Sequence, residues 1–282
     1  MTRPHGTLLG RLTRGTSWSW RAERHGPALP TDLDVTVMDL KSADRHHAKQ
    51  GRSTARVRFD SGQGSVTVYL KRHYRLPWAS RLAALLNPGG RHSPASAEWS
   101  HLERARSLGI EVPEVVAVGE WVGPWGALQS YLMVAELSGH APLHEAVPEL
   151  AGSLGRAEFA SLKRRLVVEM ADIAARLHGA RAFHKDLYLC HFFLDVQPVA
   201  GGLGRLCLID LHRLAVHRWT WPRWRWKDLG QLLYSTYGVE GIDDRDRLRF
   251  WKHYRRRTRV TLPGWQGALI RGKAARYQAH NR

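Results

Sequence analysis

The chain has 282 residues, 43% of them hydrophobic, which suits one large domain or two lobes around a cleft and excludes wholesale disorder. Lysine and arginine number 43 against 25 aspartates and glutamates, a formal +18 that attracts polyanions: nucleic acid, an anionic membrane surface or a phosphorylated ligand. No apolar run approaches the ~20 residues of a membrane span, and residues 1–26 lack the apolar stretch of a signal peptide, so a cytoplasmic location is expected.

Residues 1–30 are basic, rich in Gly, Pro and Ser, and aperiodic; they read as a tail. Short β-rich runs follow at Val35–Met38, Ala55–Phe59 and Val66–Leu70, the last two joined by the hairpin loop Asp60–Gly64. Trp78–Leu86 is amphipathic and stops at Asn87–Pro88–Gly89–Gly90. Ser93–Leu108 reads as a helix with Ala97, His101, Ala105 and Leu108 near one face, and Val115–Ala117 and Tyr131–Ala135 as strands. The second half changes character. Phe159, Leu162, Leu166, Met170, Ile173 and Leu177 recur at helical steps. Two short apolar segments, Phe192–Leu194 and Leu206–Ile209, flank a Gly-rich turn, and a helix is expected over Asp228–Tyr237. The pattern predicts an α+β, two-lobed protein: a tail over 1–30, a β-rich lobe with one main helix over 31–138, and a helical lobe over 139–282 ending in a polybasic tail. Cys190 and Cys207 have neither disulfide-framework nor zinc spacing.

Three segments carry chemistry in a recognisable order: Val68–Lys71, His184–His191 and Leu208–His212. They match the kinase signature set of a strand lysine, a helix glutamate, an H-x-D loop and a strand-terminal aspartate. Phosphoryl transfer needs positioning and neutralisation of negative charge more than covalent help. Lys71 can reach nucleotide phosphates if a helix carboxylate holds it; Glu98 is the first choice and Glu103 the second. Asp186 can accept the proton of an acceptor hydroxyl. Asp210 can hold Mg2+, and His191, five residues after Asp186, can serve as a ligand or phosphate donor. No G-x-G-x-x-G precedes Lys71; Lys49–Thr54, with Gly51 and Arg52, is the nearest candidate for a phosphate-covering loop, and Ala135 completes the nucleotide-binding set. Singly, each segment has a bland reading as a solvated lysine, a turn residue or a strand end; in this order and context the catalytic reading prevails.

At these residues the chain resembles the bacterial lipopolysaccharide core heptose kinases, relatives of the Kdo kinases. The resemblance rests on His184-Lys185-Asp186-Leu187-Tyr188-Leu189-Cys190-His191-Phe192, Ile209-Asp210-Leu211-His212-Arg213, Glu98-Trp99 and Trp224-Arg225-Trp226-Lys227-Asp228-Leu229, spread over roughly residues 70–240. It implies a protein-kinase-like bilobal fold and ATP with Mg2+. It also implies transfer to an inner-core heptose hydroxyl of lipopolysaccharide at the cytoplasmic face of the inner membrane. It gives Asp186 the base role with His184 beside it, Asp210 the metal role, and Asp228 the support of the catalytic loop.

Arg218–Lys227 packs four Trp and four cations into ten residues, a surface suited to sugar rings and phosphates. Lys185, Arg213, Trp224 and Arg225 are its acceptor-binding candidates. Trp78–Leu86 and the basic stretch from Lys252 suit a lipid surface, which predicts a peripheral membrane protein. Two alternatives stay open at this point: a kinase of the same fold with another small-molecule, glycan or protein acceptor, and a pseudokinase or basic nucleic-acid-binding module. The intact set Lys71, Asp186 and Asp210 weighs against a dead kinase, and no recognised nucleic-acid motif accompanies the charge.

Overall fold

A computed structural model describes residues 9, 13–40, 45–49, 51–61, 64–75, 78, 82, 86, 92–123, 128–199, 202–258 and 264–280. The chain divides into two compact units, 1–102 with 113–137, and 103–112 with 138–282. Residues 103–112, expected in the first lobe, thus group with the second.

The first unit is built on an antiparallel sheet of β1 (Thr16–Arg21), β2 (Arg45–Lys49), β3 (Arg52–Ser61), β4 (Gly64–His73), β5 (Val115–Val122) and β6 (Leu128–Ala135), in spatial order β1-β5-β6-β4-β3-β2. Period-two burial along β4 sends Val66, Val68 and Leu70 into a core with Leu33, Val37, Phe59, Val116 and Met133. Two expectations are corrected here. The segment 1–30 is not a tail throughout, because Thr16–Arg21 pairs with β5 over six registered residues. Gly15 makes that entry feasible: its φ is +77°, and a Cβ there would lie 2.4 Å from the Val122 carbonyl oxygen. Val35–Met38 is not a strand. Leu33–Thr36 forms the short helix α1, since Leu33 and Val37, four apart, are both fully buried while Val35 faces solvent. The β-branched run misled because a single helical turn buries only one side.

The helix expected over Ser93–Leu108 is α2 (Pro94–Ser107). Its buried side is Ala95, Glu98, Trp99, Leu102 and Ala105, rotated from the face expected through Ala97 and His101.

In the second unit α3 (Leu143–Ser153) precedes α4 (Arg156–Gly179), whose inward stripe is Leu166, Met170, Ile173 and Leu177. Strand β7 (His140–Pro142) pairs with β9 (Phe192–Asp195), which pairs with β12 (Leu206–Leu208); β8 (Ala182–Phe183) pairs with β13 (Ala215–Val216), and β10 (Pro198–Val199) with β11 (Gly202–Leu203). Helix α5 (Trp221–Ser235) starts seven residues earlier than expected, because Pro222 sits in its first turn, where a missing N–H costs nothing. The polybasic stretch from Lys252 is largely helical, in α6 (Asp244–Thr258) and α7 (Gly264–His280). Tyr254, Ile270 and Ala274 are buried and hold these helices down. Gly230 on α5 admits α7 closely: a Cβ there would meet Lys273 Cβ at 2.9 Å.

Candidate active site

In the first unit Lys71 stands in β4 between Thr54 of β3 and Leu132 of β6. Its Nζ meets Glu98 Oε1 at 2.6 Å, and Glu98 is only 4% exposed. A carboxylate so buried depends on this cation, since breaking such a pair costs about 3–5 kcal/mol. Glu103, the second choice, is exposed and pairs with Arg106 instead. Gly51, at φ +75°, forms the β2–β3 turn; its carbonyl accepts the Tyr74 N–H at 2.8 Å, and a Cβ would lie 3.1 Å from Arg75 Cβ. Arg52 opens β3 with its side chain exposed. Ala135 ends β6, its N–H bonded to the Glu114 carbonyl.

In the second unit the chain leaves β8 into His184–Lys185–Asp186. Lys185 takes φ +71°, a left-handed conformation costing about 1–3 kcal/mol that surrounding contacts must sustain. They come from Asp228 of α5, which is fully buried. Asp228 Oδ2 accepts the His184 N–H at 2.9 Å, and Oδ1 accepts the Lys185 N–H at 2.8 Å. Behind it stands His178 of α4, 3.4 Å from Asp228 Oδ2 through Nε2 and 2.7 Å from the Tyr254 hydroxyl through Nδ1. Burial lowers the pKa of His178 against the opposing pull of Asp228, so the ring is neutral: Nε2–H donates to the carboxylate and Nδ1 accepts from Tyr254. His184 is likewise fully buried, its pKa lowered by burial, and its Nε2–H donates to the Ile209 carbonyl at 3.0 Å. That bond joins the two motif loops.

The Asp186 carboxylate is flanked by cations. Arg213 NH1 donates to Oδ2 at 2.7 Å, while Lys227 Nζ lies 3.5 Å and Gln231 Nε2 3.4 Å from Oδ1. Lys227 also donates to the Lys185 carbonyl. Burial lowers its pKa, partly offset by Asp186.

Asp210 takes φ +62°, and its Oδ1 meets His212 Nδ1 at 2.6 Å. Its Oδ2 lies 3.7 Å from His191 Nε2. His191 Nδ1 is 2.7 Å from the Asp186 carbonyl, which can only accept, so the proton sits on Nδ1 and the Nε2 lone pair is directed at Asp210. Two electron-pair donors at this spacing leave a gap that a divalent cation fits. Burial pulls the His191 pKa down, but Cys190, the Asp186 carbonyl and Asp210 outweigh it and hold it above the ordinary value, so a proton competes for the same gap. No cluster of three His, Cys, Asp or Glu occurs among the described residues, so water and phosphate oxygens would complete a hard cation's shell.

A model of the lipopolysaccharide kinase (Kdo/WaaP) family matches residues 41–254, three quarters of the chain. The chain belongs to this family. Over 209 residues it is 33% identical to the lipopolysaccharide core heptose(I) kinase WaaP of Pseudomonas aeruginosa, covering 74% of this chain and 75% of that one. Over 162 residues it is 31% identical to an Escherichia coli enzyme of the same name, covering 57% and 59%. A solved structure, WaaP in complex with acyl carrier protein, superposes with a TM-score of 0.68 at 27% identity, covering 92% of this chain and 98% of that one. The lipopolysaccharide kinase is thus a protein-kinase-like fold with a β-sheet N-terminal region and a helical C-terminal region.

Around the Asp186 loop the kinase carries an aromatic, cationic surface. Lys185 Nζ lies 4.5 Å above the Trp224 ring, and His217 stacks on Trp224 at 4.6 Å. Trp219 is 92% exposed. Arg225 does not reach this surface: it is 4% exposed and packs over Trp221, with Arg181 4.1 Å from the same ring. Its position on the inner face of α5, one turn from Leu229, put it inside. Sequence reasoning missed Lys227 and Gln231 beside Asp186; the available signal was their i, i+4 spacing on the helix that carries Asp228.

Proposed function

We propose that this kinase transfers the γ-phosphate of ATP to a hydroxyl of an inner-core heptose of lipopolysaccharide. The observation that carries this reading is the Asp186 carboxylate, presented on a loop braced by Asp228 and flanked by Arg213, Lys227 and Gln231. The acceptor oxygen attacks the γ-phosphorus; an O–P bond forms, the bond from that phosphorus to the β,γ-bridging oxygen breaks, and ADP leaves. Asp186 takes the hydroxyl proton as the new bond forms and releases it to solvent. Lys71, fixed by Glu98, neutralises non-transferred phosphates, with Gly51, Arg52 and Ala135 completing the nucleotide contacts. Asp210 and His191 would hold Mg2+, which when bound neutralises β- and γ-phosphate oxygens. Arg213, Lys185 and Trp224 face the acceptor: indole faces suit sugar rings, and the cations suit phosphates already on the glycolipid.

The acceptor is a glycolipid, and the chain meets it as a peripheral protein. Among the described residues no helix is long and apolar enough to cross a membrane. Trp78, Leu82 and Leu86, four residues apart, are 75%, 42% and 77% exposed, and Lys252, Arg255, Arg256 and Arg257 line the exposed side of α6. Each basic residue near an anionic leaflet contributes about 1 kcal/mol. The acyl carrier protein in the solved relative suggests a second partner. In the second unit an apolar cavity of about 320 Å³, lined by Val147, Leu166, Val167, Met170, Leu229 and Leu232, has the chemistry of an acyl-chain site.

The test is transfer of labelled γ-phosphate from ATP·Mg2+ to purified core lipopolysaccharide, beside Asp186→Ala and Asp210→Ala. Label in the core sugar that both variants lose is expected. Label persisting in Asp186→Ala, or failing to enter the core while ATP binds, overturns the reading.

A further inference from the structure

The Lys71–Glu98 pair is made, and the first unit contains an arrangement that accounts for it. Helix α2 has 14 residues, close to the ~12–15 below which isolated helices are marginal, so its orientation must come from packing. Its N-terminus carries a capping box with one part supplied from elsewhere. Ser93 Oγ accepts the Ser96 N–H at 3.0 Å, but Ser96 is too short to return the bond that a glutamate three residues into the helix would make. Glu120 of β5 makes it: its Oε2 accepts the Ser93 N–H at 3.0 Å and the Ser96 hydroxyl at 2.8 Å. Glu120 is 1% exposed and places negative charge at the positive end of the helix.

The side of α2 is held by β1. Trp18 lies opposite Glu120 in the β1–β5 register, and Trp20 opposite Val118, so both tryptophans stand on one face of the sheet. Trp20 stacks on Trp99 of α2 at 5.4 Å between ring centroids and 26° between planes; Trp18 approaches the same ring at 5.8 Å. Trp18 Nε1 donates to Glu120 Oε1 at 3.4 Å, which links the side contact to the cap. Trp99 follows Glu98 directly, so its indole and the carboxylate leave the helix about 100° apart. A rotation or slide of α2 that withdraws Glu98 from Lys71 must unstack Trp99.

We infer that Trp18, Trp20, Trp99 and Glu120 are positioning residues that lock α2 with Glu98 on Lys71, so that the N-terminal strand β1 acts as a built-in activating clamp. The inference rests on the reading of Lys71 and Glu98 as the pair that holds nucleotide phosphates. It assigns a catalytic consequence to β1, which holds none of the residues read as nucleotide contacts.

The experiment compares ATP and acceptor KM, and amide exchange of α2, in the full chain carrying Trp18→Ala with Trp20→Ala, in the same pair on a Glu98→Gln background, and in Lys71→Met. Loss of two aromatic contacts is expected to raise the ATP KM about tenfold, leave the acceptor KM unchanged and speed exchange in α2 but not in α4 or α5. On the Glu98→Gln background the same pair should add less than about twofold, because there is no carboxylate left to position. A full tenfold effect on both backgrounds overturns the inference alone, provided Lys71→Met raises the ATP KM. An unchanged ATP KM in Lys71→Met overturns the phosphate-pair reading and the inference together. Where the double variant does not fold, Trp20→Phe, which keeps an aromatic ring but shrinks the stack, and the isosteric Glu120→Gln replace it; each should raise the ATP KM roughly threefold with faster α2 exchange, and no change in either refutes the clamp.

Discussion

Asp228→Asn isolates the brace beneath the catalytic loop. The substitution keeps the shape and one carbonyl oxygen, but replaces the other acceptor oxygen with an amide that can only donate. Asp228 accepts from the His184 and Lys185 backbone and lies 3.4 Å from His178, the first and last of these contacts buried and the Lys185 bond part-buried. At least one donor then faces another donor. A hydrogen bond to a charged group contributes about 1.5–3 kcal/mol, and a buried donor left unpaired costs a similar amount. If Lys185 N–H is the one orphaned, its left-handed conformation at φ +71° also loses its support, and relaxation moves Asp186 next to it. The net expectation is a loss of about 2–4 kcal/mol, which at 2–4 °C per kcal/mol for chains near this size lowers Tm by roughly 5–15 °C. Below that Tm, kcat should fall at least about tenfold while ATP affinity changes little. Thermal unfolding with single-turnover transfer and ATP titration reads all three. A variant with wild-type Tm and kcat would refute the reasoning, as would one whose loss appears only in ATP affinity.

Three further outcomes follow from the same geometry. The pKa of buried His178 and of buried His184 lies below the ordinary 6.5, so the unfolded chain binds protons that the folded one refuses; stability is full above pH 6.5 and falls as pH drops, by up to about 1.4 kcal/mol per pH unit per histidine. Urea midpoints from pH 7.5 to 5.5 check this, and His178→Gln should flatten the slope. Lys227→Met should lower kcat about tenfold or more while costing only about 1 kcal/mol of stability, because it removes a cation beside Asp186 and the bond to the Lys185 carbonyl but keeps the stem packed; transfer kinetics with a melting curve decide it. Gly230→Val should cost about 2–3 kcal/mol by forcing α7 off α5, where Lys273 Cβ already sits 2.9 Å from an ideal Cβ, and denaturant unfolding measures it.

The parts of the site that could be read in the sequence are those whose constraints are local. His184–Asp186 and Ile209–Asp210 sit on tight turns, and the residues that hold the turns lie in the motifs or, like Asp228, in a neighbouring motif. Glu98 over Glu103 was legible through its place in the helix, and burial agrees with the choice. What escaped depends on distant partners. The β1 strand has an unremarkable Thr-Ser-Trp-Ser-Trp-Arg sequence whose meaning comes from an edge of β5 some hundred residues away. Val35–Met38 has strand composition but a helical turn, since Leu33 and Val37 are pulled into one core. Arg225 looked like an acceptor contact from its neighbours, and only the rotation of α5 shows that it points inward.

The order of strands also shapes how the first unit is made. Strands β2, β3 and β4 follow one another and can pair as they emerge from the ribosome, whereas Thr16–Arg21 has no partner until Ala117–Val122 has been synthesised. At about 5–20 residues per second that wait lasts roughly 5–20 s, with Trp18 and Trp20 exposed on an unpaired strand. The growing chain therefore makes a strand bearing two tryptophans early and shelters it late, so heterologous yield should respond to translation rate and chaperone supply more than the stability of the finished protein would suggest.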